Sequence, residues 1–260
     1  MKLGINIDHI ATLREARKIN EPSPLEAIFV LKNAGAAHIT LHLREDRRHI
    51  HDNDLQAIIA NSPLPINLEC ATSEEIIALA CELKPQQVTL VPEKRQEVTT
   101  EGGLNLKSPK LQETIQKLQD SGIITSLFID PNLPSIEQSL ALGVRHIELH
   151  TGEWANLNLM ASSNLKHTQH KITSLDFPYP ILQDKICNTL KQIQECAILG
   201  EREGLEVCAG HGLNYQNVKP IAQIPQIREL NIGHSIIARA IFVGLFEAIR
   251  EMQSIINESI

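Results

Sequence analysis

Short apolar runs of β type alternate along the chain with longer stretches whose apolar residues recur every three or four positions. The first run, residues 2–7, ends in Asp8-His9 and is followed by a polar turn carrying Arg14 and Arg17. Pro22-Ser23-Pro24 starts a helix with Leu25, Ile28 and Phe29 on its apolar face, closed by Gly35. Strands are predicted at 39–43, 65–69, 88–91, 124–129, 146–149, 205–209 and 229–232. The intervening helices carry Leu55, Ile58 and Ile59, then Leu111, Ile115 and Leu118, then Ile136 and Leu140, and Ser73-Glu74-Glu75 reads as a helix start. Residues after Gly152 read as irregular up to a helix at about 181–200. A short helix around 218–224 and a last one from 235 to about 256, with Gly244 inside it, complete the pattern.

Eight strand–helix units imply a parallel sheet. In about 250 residues they have the size of a (β/α)8 TIM barrel, here one catalytic domain over 1–260 with an extended segment after strand six. A doubly wound open sheet is the competitor, and it rarely uses eight such even units.

The strand ends are where this pattern becomes chemical. Aligning them collects Asn6, Asp8 and His9; His42 and Arg44; Glu69; Glu93, Lys94 and Arg95; Asp130; Glu148 and His150; His211; Gly233 and His234. Each alone has a structural explanation, as a cap or a turn residue. Together, on the catalytic face of a barrel, they exceed what a core needs. The run from Thr40 to His49 is the densest: an apolar strand carries His42 and opens into a charged turn with Arg44, Arg47 and Arg48. Arg44 suits an anion, while Arg47 and Arg48 read as surface or subunit contacts.

Charge and composition narrow the ligand. The net charge of −7 argues against nucleic acid or an anionic membrane as partner. Aromatics at 3% leave no stacking platform for single strands. The five scattered cysteines fit buried thiols in a reducing compartment. No signal peptide and no apolar run of the ~18–20 residues of a membrane span is present, so a cytoplasmic protein is expected.

Two adjacent turns, Gly210-His211-Gly212 and Gly233-His234-Ser235, place glycine and histidine where barrels of this class often seat phosphate. Glu69 and Glu148, in or at the end of apolar strands, are placed for raised pKa values and proton transfer. The His-x-His of metal-dependent barrel hydrolases is replaced by Asn6-Ile7-Asp8-His9, and no H-x-x-E-H or H-E-x-x-H occurs, so a metal site is the second reading. No dinucleotide, Walker or nucleophile-elbow motif occurs. The loop 96–103, ending in Gly102-Gly103, has the composition of a lid or of a plain surface loop. The competing functions are a sugar-phosphate epimerase or aldolase and a ligand-binding barrel. A Schiff-base aldolase needs a lysine inside a strand, and paired acid and base groups are superfluous in a scaffold.

Several long motifs resemble the pyridoxine 5′-phosphate synthase family: N-I-D-H-I-A-T-L-R from Asn6, H-L-R-E-D-R-R-H-I from His42, N-L-E from Asn67 and V-P-E-K-R-Q-E-V-T-T-E-G-G from Val91, with S-L-F-I-D, I-E-L-H-T-G, A-G-H-G-L and E-L-N-I-G-H further on. The resemblance spans nearly the whole chain. It implies a (β/α)8 transferase of vitamin B6 biosynthesis that condenses 3-amino-2-oxopropyl phosphate with 1-deoxy-D-xylulose 5-phosphate, without metal or organic cofactor, in homo-octamers built from dimers. It further implies His42 and Glu69 as proton acceptors, His211 as proton donor and Glu148 as stabiliser of charged intermediates. Asn6, Arg17, Gly212, Gly233 and His234 would hold the amino-ketone phosphate. Asp8, His9, Arg44, His49 and Thr99 would hold the deoxyxylulose phosphate. The segment 155–180 is longer than the resemblance leads one to expect.

Overall fold

A computed structural model describes residues 1–93, 102–162 and 164–258. Eight parallel strands close into a barrel in sequence order, β8 pairing with β1. In chain order the elements are β1 (Lys2–Asn6), α1 (Asp8–Arg17), α2 (Pro24–Ala34), β2 (His38–His42), α3 (Asp52–Asn61), β3 (Ile66–Cys70), α4 (Glu74–Leu83), β4 (Gln87–Leu90), α5 (Pro109–Asp120), β5 (Ile124–Ile129), α6 (Leu133–Ala141) and β6 (His146–His150). They continue with α7 (Gly152–Ser162), 3-10 turns at Asn164–His167 and Thr173–Leu175, α8 (Tyr179–Arg202), β7 (Glu206–Gly210), α9 (Val218–Ala222), β8 (Ile227–Ile232), α10 (His234–Val243) and α11 (Leu245–Asn257). The (β/α)8 barrel expected from the pattern is the observed fold.

Strand alternation sorts the side chains into two faces. Leu3, Ile5, Ile39, Leu41, Ile66, Leu68, Val88, Leu90, Leu127, Ile147, Leu149, Val207, Leu230 and Ile232 are buried and join one apolar cluster with the helices. The opposite face, pointing into the barrel, is polar. Cross-strand register puts Gly4 beside His38 and Asn231, Thr40 beside Asn67, and Glu148 beside Cys208. Barrels of this class ordinarily fill that space with branched apolar residues. Here buried His38, Thr40, Asn67, Thr89, Ser126, Glu148 and Asn231 fill it instead, which explains why each strand reads as alternating rather than as a continuous apolar run.

The structure departs from the pattern at four places. The polar turn with Arg14 and Arg17 is helix α1, whose buried face contains Asp8, Ile10, Ala11 and Arg14. An arginine on the inner face hides the amphipathic signal. The irregular stretch after Gly152 contains α7, buried through Trp154, Ala155, Leu157 and Met160. Its asparagines and serines are weak helix formers, and tertiary packing overrides them. The last helix is two helices, because Gly244 adopts φ 85° and ψ 154°, which no helix accommodates. Finally, Phe29, expected on the apolar face of its helix, is 56% exposed and does not belong to the core.

Candidate active site

The carboxyl ends of β1, β2 and β3 form the first half of the site. Asn6 and Asp8 lock each other: Asn6 Nδ2 donates to Asp8 Oδ2 at 2.8 Å, and the Asp8 amide donates to Asn6 Oδ1 at 2.9 Å. The other Asp8 oxygen accepts the His42 amide at 2.9 Å. The strand end that carries the buried His42 ring is thereby tied to β1. His42 Nδ1 stands 4.0 Å from Glu69 Oε2, and its Nε2 stands 3.7 Å from Glu93 Oε2 without a hydrogen bond. Glu93 also faces Arg44 Nε at 3.5 Å and accepts the Glu45 amide at 3.0 Å. Burial pushes the Glu93 carboxyl up, but His42, Arg44 and that amide outweigh it and hold the carboxyl low. Glu69 goes the other way: burial, then the charges of Glu148 and Asp8, raise it well above the carboxylate range. A carboxyl raised by burial and one held low by its cationic neighbours therefore flank one imidazole.

His49 packs edge-on to His42 with centroids 6.2 Å apart. The Ile50 amide donates to His49 Nδ1 at 2.9 Å, leaving Nε2 as the donor nitrogen. Arg14 holds this segment from below through a bidentate pair with Asp54 at 2.6 and 2.8 Å and a bond to the His49 carbonyl at 2.9 Å. Asp54 in turn closes a capping box with His51 at the start of α3. Burial lowers the His49 pKa, Asp8 opposing and His42 adding to the fall.

The second half lies over β5, β6 and β7. His211 follows β7 in a left-handed conformation, φ 81°, with its ring 5.0 Å from that of His150 and 6.3 Å from that of Phe128. Thr151 Oγ1 lies 2.7 Å from the Gly210 carbonyl and 2.6 Å from that of His211, which pins the turn. Helix α7 adds a second tether: Trp154 Nε1 donates to the Asn217 carbonyl, and Asn217 Nδ2 donates to the carbonyl of Gly212. Burial, then the neighbouring His150, lowers His211 to about 4. The ring is neutral near pH 7. Asp130 faces His150 Nδ1 at 3.5 Å and accepts the Gly103 amide at 2.7 Å; His150 holds its carboxyl below the usual range.

Glu148 forms the floor. Its Oε2 accepts Asn231 Nδ2 at 2.6 Å, and burial lifts its carboxyl to about 7 against that bond. At the β8 end, His9 and His234 stack edge to face at 4.8 Å, beside Gly233 at the start of α10. A Cβ on Gly233 would come within 3.0 Å of Asn6, so only glycine lets β8 close on β1 there. Burial, then His234, lowers His9, and its Nδ1 is buried with no hydrogen-bond partner among the described residues. A helix N-terminus lined by imidazoles is an anion seat. Among the described residues, Asp8, His42 and Glu69 form one group that could hold a cation, each bringing a ligand atom within 4.8 Å of the others. Asp8 already spends both oxygens on Asn6 and the His42 amide, and burial raises the Glu69 carboxyl and so weakens it as a ligand, so this donor set suits proton transfer better than a metal.

Comparison with known proteins agrees with the motifs. The family model of pyridoxal phosphate biosynthesis protein PdxJ matches residues 3–258. The pyridoxine 5′-phosphate synthase of Helicobacter hepaticus is 57% identical, covering 97% of each chain, and that of Wolinella succinogenes 55%, covering 99% of each. This chain belongs to the PdxJ family. Among solved structures, the barrel resembles N-(5′-phosphoribosyl)anthranilate isomerase of Pyrococcus furiosus, with TM-score 0.59, 14% identity and 99% of each chain covered. Thiamine phosphate pyrophosphorylase of the same organism has TM-score 0.59 and 12% identity over 100% of this chain and 96% of that one. At such identities the likeness is one of fold.

In this PdxJ family member the structure brings Asn6, Asp8, His9, His42, Arg44, His49, Glu69, Glu148, His211, Gly212, Gly233 and His234 to the carboxyl end of one barrel. Thr99, Lys94, Arg95 and most of the loop 96–103 lie outside the described residues. Arg17 is not brought to the cluster: it is exposed in the last turn of α1, about 13 Å along the helix from Asp8 at 1.5 Å per residue. Arg47 and Arg48 bind within the chain. Arg47 pairs with Asp52 and Glu75, and Arg48 with Asp46. The sequence pattern collected Glu93, Asp130 and His150 at strand ends but gave them no role. Arg14 it placed in a polar turn without a role, and Asn231 and Thr151 it passed over, since nothing local marks a buried polar residue whose partner is distant.

Proposed function

We propose that this protein is a pyridoxine 5′-phosphate synthase that condenses 3-amino-2-oxopropyl phosphate with 1-deoxy-D-xylulose 5-phosphate to pyridoxine 5′-phosphate, phosphate and water. The observation that supports it best is the meeting of His42, Glu69, Glu93, Glu148 and His211 at one barrel mouth, in a chain of this family. The amine attacks the ketone and an imine forms; phosphate and water leave and the ring closes. Every step moves protons near neutral pH, so acids and bases with displaced pKa values serve it.

His42, backed by Glu93, takes a proton from the substrate. Glu69, whose carboxyl is raised by burial and by the charges of Glu148 and Asp8, exchanges protons with the substrate as the charge beside it changes. His211 is neutral without ligand, and a phosphate beside it raises its proton affinity by Coulomb attraction, so it becomes a donor with substrate present. Glu148 faces the cationic intermediates. Asp8, His9, Arg44, His49 and Thr99 take one phosphate substrate; Asn6, Gly212, Gly233 and His234 take the other. Arg17 joins the second group only across a contact between copies, because its own α1 carries it away. Such a contact has a surface: Leu13 on α1, Ile241 and Phe242 on α10 and Phe246 on α11 are large, apolar and exposed, and α1 packs on α10. A homo-oligomer, an octamer built from dimers, and a cytoplasmic location complete the reading. Among the described residues no helix is long and apolar enough to cross a membrane.

The test is direct. Purified protein given both substrates, with EDTA present, should form pyridoxine 5′-phosphate and release one phosphate per turnover. No product from correctly folded protein rejects the assignment, and product only after a metal is restored rejects the metal-free site.

A further inference from the structure

A polar chain under the reacting groups has no part in the roles above. Asn231, which gives Nδ2 to Glu148, turns its Oδ1 to His38 Nε2 at 2.9 Å. Thr40 Oγ1 lies 3.4 Å from that oxygen and 3.2 Å from that nitrogen. The other ring nitrogen of His38, Nδ1, faces Glu229 Oε2 at 3.3 Å, and Cys208 Sγ approaches Glu229 Oε1 at 3.7 Å. His38, Thr40, Asn231 and Glu148 are all buried.

This chain crosses two strands, and each crossing is made over a glycine. A Cβ on Gly4 would come within 3.0 Å of the His38 ring and of Asn231 Oδ1; one on Gly210 would do the same to Glu148 Oε1. Neither glycine has a positive φ, so space and not backbone conformation calls for it. Two cleared crossings meeting on one amide mark a built connection rather than an accident of packing.

We propose that Asn231 and His38 are positioning residues for the synthase reaction, setting both the orientation and the proton content of the Glu148 carboxyl. The proposal rests on the synthase reading for what Glu148 does, but not for how it is held. An amide has a donor end and an acceptor end. With a proton on Nε2, His38 donates to Asn231 Oδ1, so the NH2 end faces Glu148 and favours its carboxylate. Without that proton, Nε2 accepts, the amide is better turned over, and its carbonyl then faces Glu148 and calls for the acid form. One amide rotation thus links the ring to the carboxyl. Other groups facing Glu148 act alongside: Glu229 on β8 raises it and His38 lowers it, while Glu69 on β3 and Cys208 on β7 both feel its charge. Lys2 and His146 lie beside Glu229 at the far end.

The experiment uses the full-length protein with 13C-labelled glutamate side chains. The Glu148 carboxyl signal is identified by its loss in Glu148→Gln, and its titration is followed by NMR. Asn231→Leu should raise the Glu148 midpoint by about one pH unit, the worth of a hydrogen bond to a charged group. The acid limb of the kcat profile should move up with it, while KM for both substrates changes less than about threefold. His38→Met, which removes the ring donor at similar volume, should shift the same midpoint in the same direction, and it carries the test if Asn231→Leu does not fold. Unmoved midpoints in variants that fold, even with lower activity, would reduce both residues to packing and overturn the proposal. A wild-type protein that makes no product rejects the synthase reading, and the NMR titration still decides the link.

Discussion

Gly210 shows how one missing side chain serves the site. Its place beside Glu148 cannot hold a Cβ, so Gly210→Ala must displace either the carboxyl or the strand. Overpacking of this kind costs about 1–3 kcal/mol. The melting temperature should fall by a few degrees and kcat by more than tenfold, because the displaced group is Glu148; an active, unshifted variant would remove Glu148 from the floor of the site. Glu148 itself carries a pH signature. Its carboxyl sits near 7 in the folded protein against an ordinary 4.5, so the folded state binds the extra proton between those values. The stability this contributes is complete below about pH 4.5 and is lost as pH rises through 7, on the order of 3 kcal/mol in full. Glu148→Gln removes the titration. The variant should therefore gain in urea midpoint relative to wild type at pH 8 and lose that advantage at pH 4.5, in equilibrium unfolding at the two pH values. His211 adds the opposite slope: with its pKa lowered to about 4, it destabilises the fold as pH falls from 6.5 toward 4.

At the scale of elements, α1 and α7 are the two that local propensity does not announce, and both serve the site. α1 begins at Asp8 and, six residues on, sends Arg14 to Asp54 and the carbonyl of His49. Removing one member of such a pair leaves the other charge without its partner, at a cost of about 3 kcal/mol. Arg14→Met should lower the melting temperature by several degrees and raise KM for the substrate that His49 contacts more than for the other. Equal effects on both would mean that Arg14 only supports the fold. α7 starts beside His150 and His211 and ends in asparagine and serine side chains bonded back to its own carbonyls. Its helix is legible through Trp154, Leu157 and Met160 once the core is known, since these lie three residues apart on a buried face.

For the whole molecule, an acidic chain gathers His9, His42, His49, His150, His211 and His234 with Glu69 and Glu93 at one barrel end and leaves an apolar patch elsewhere. Phe242 is 81% exposed on α10, and large exposed apolar surface marks contact sites. Phe242→Asp should yield a smaller species than wild type in light scattering coupled to size-exclusion chromatography. An unchanged mass would move the contact to another face.

The amino-acid sequence by itself determined the eight βα units, because strand and helix periodicities are local and each unit repeats the same signal. It also determined the strand-end chemistry, since a parallel barrel brings every strand's carboxyl end to one face whatever the exact boundaries. Tertiary structure alone decided the rest. Which carboxyls are raised and which are held low follows from burial and from charges on other elements, as in Glu69 against Glu93. That Arg17 lies away from the cluster follows from α1 being a helix rather than a turn. The polar lining that joins His38, Asn231 and Glu148 links residues 193 and 83 positions apart. Such partners meet only when the barrel closes, and no local pattern records them.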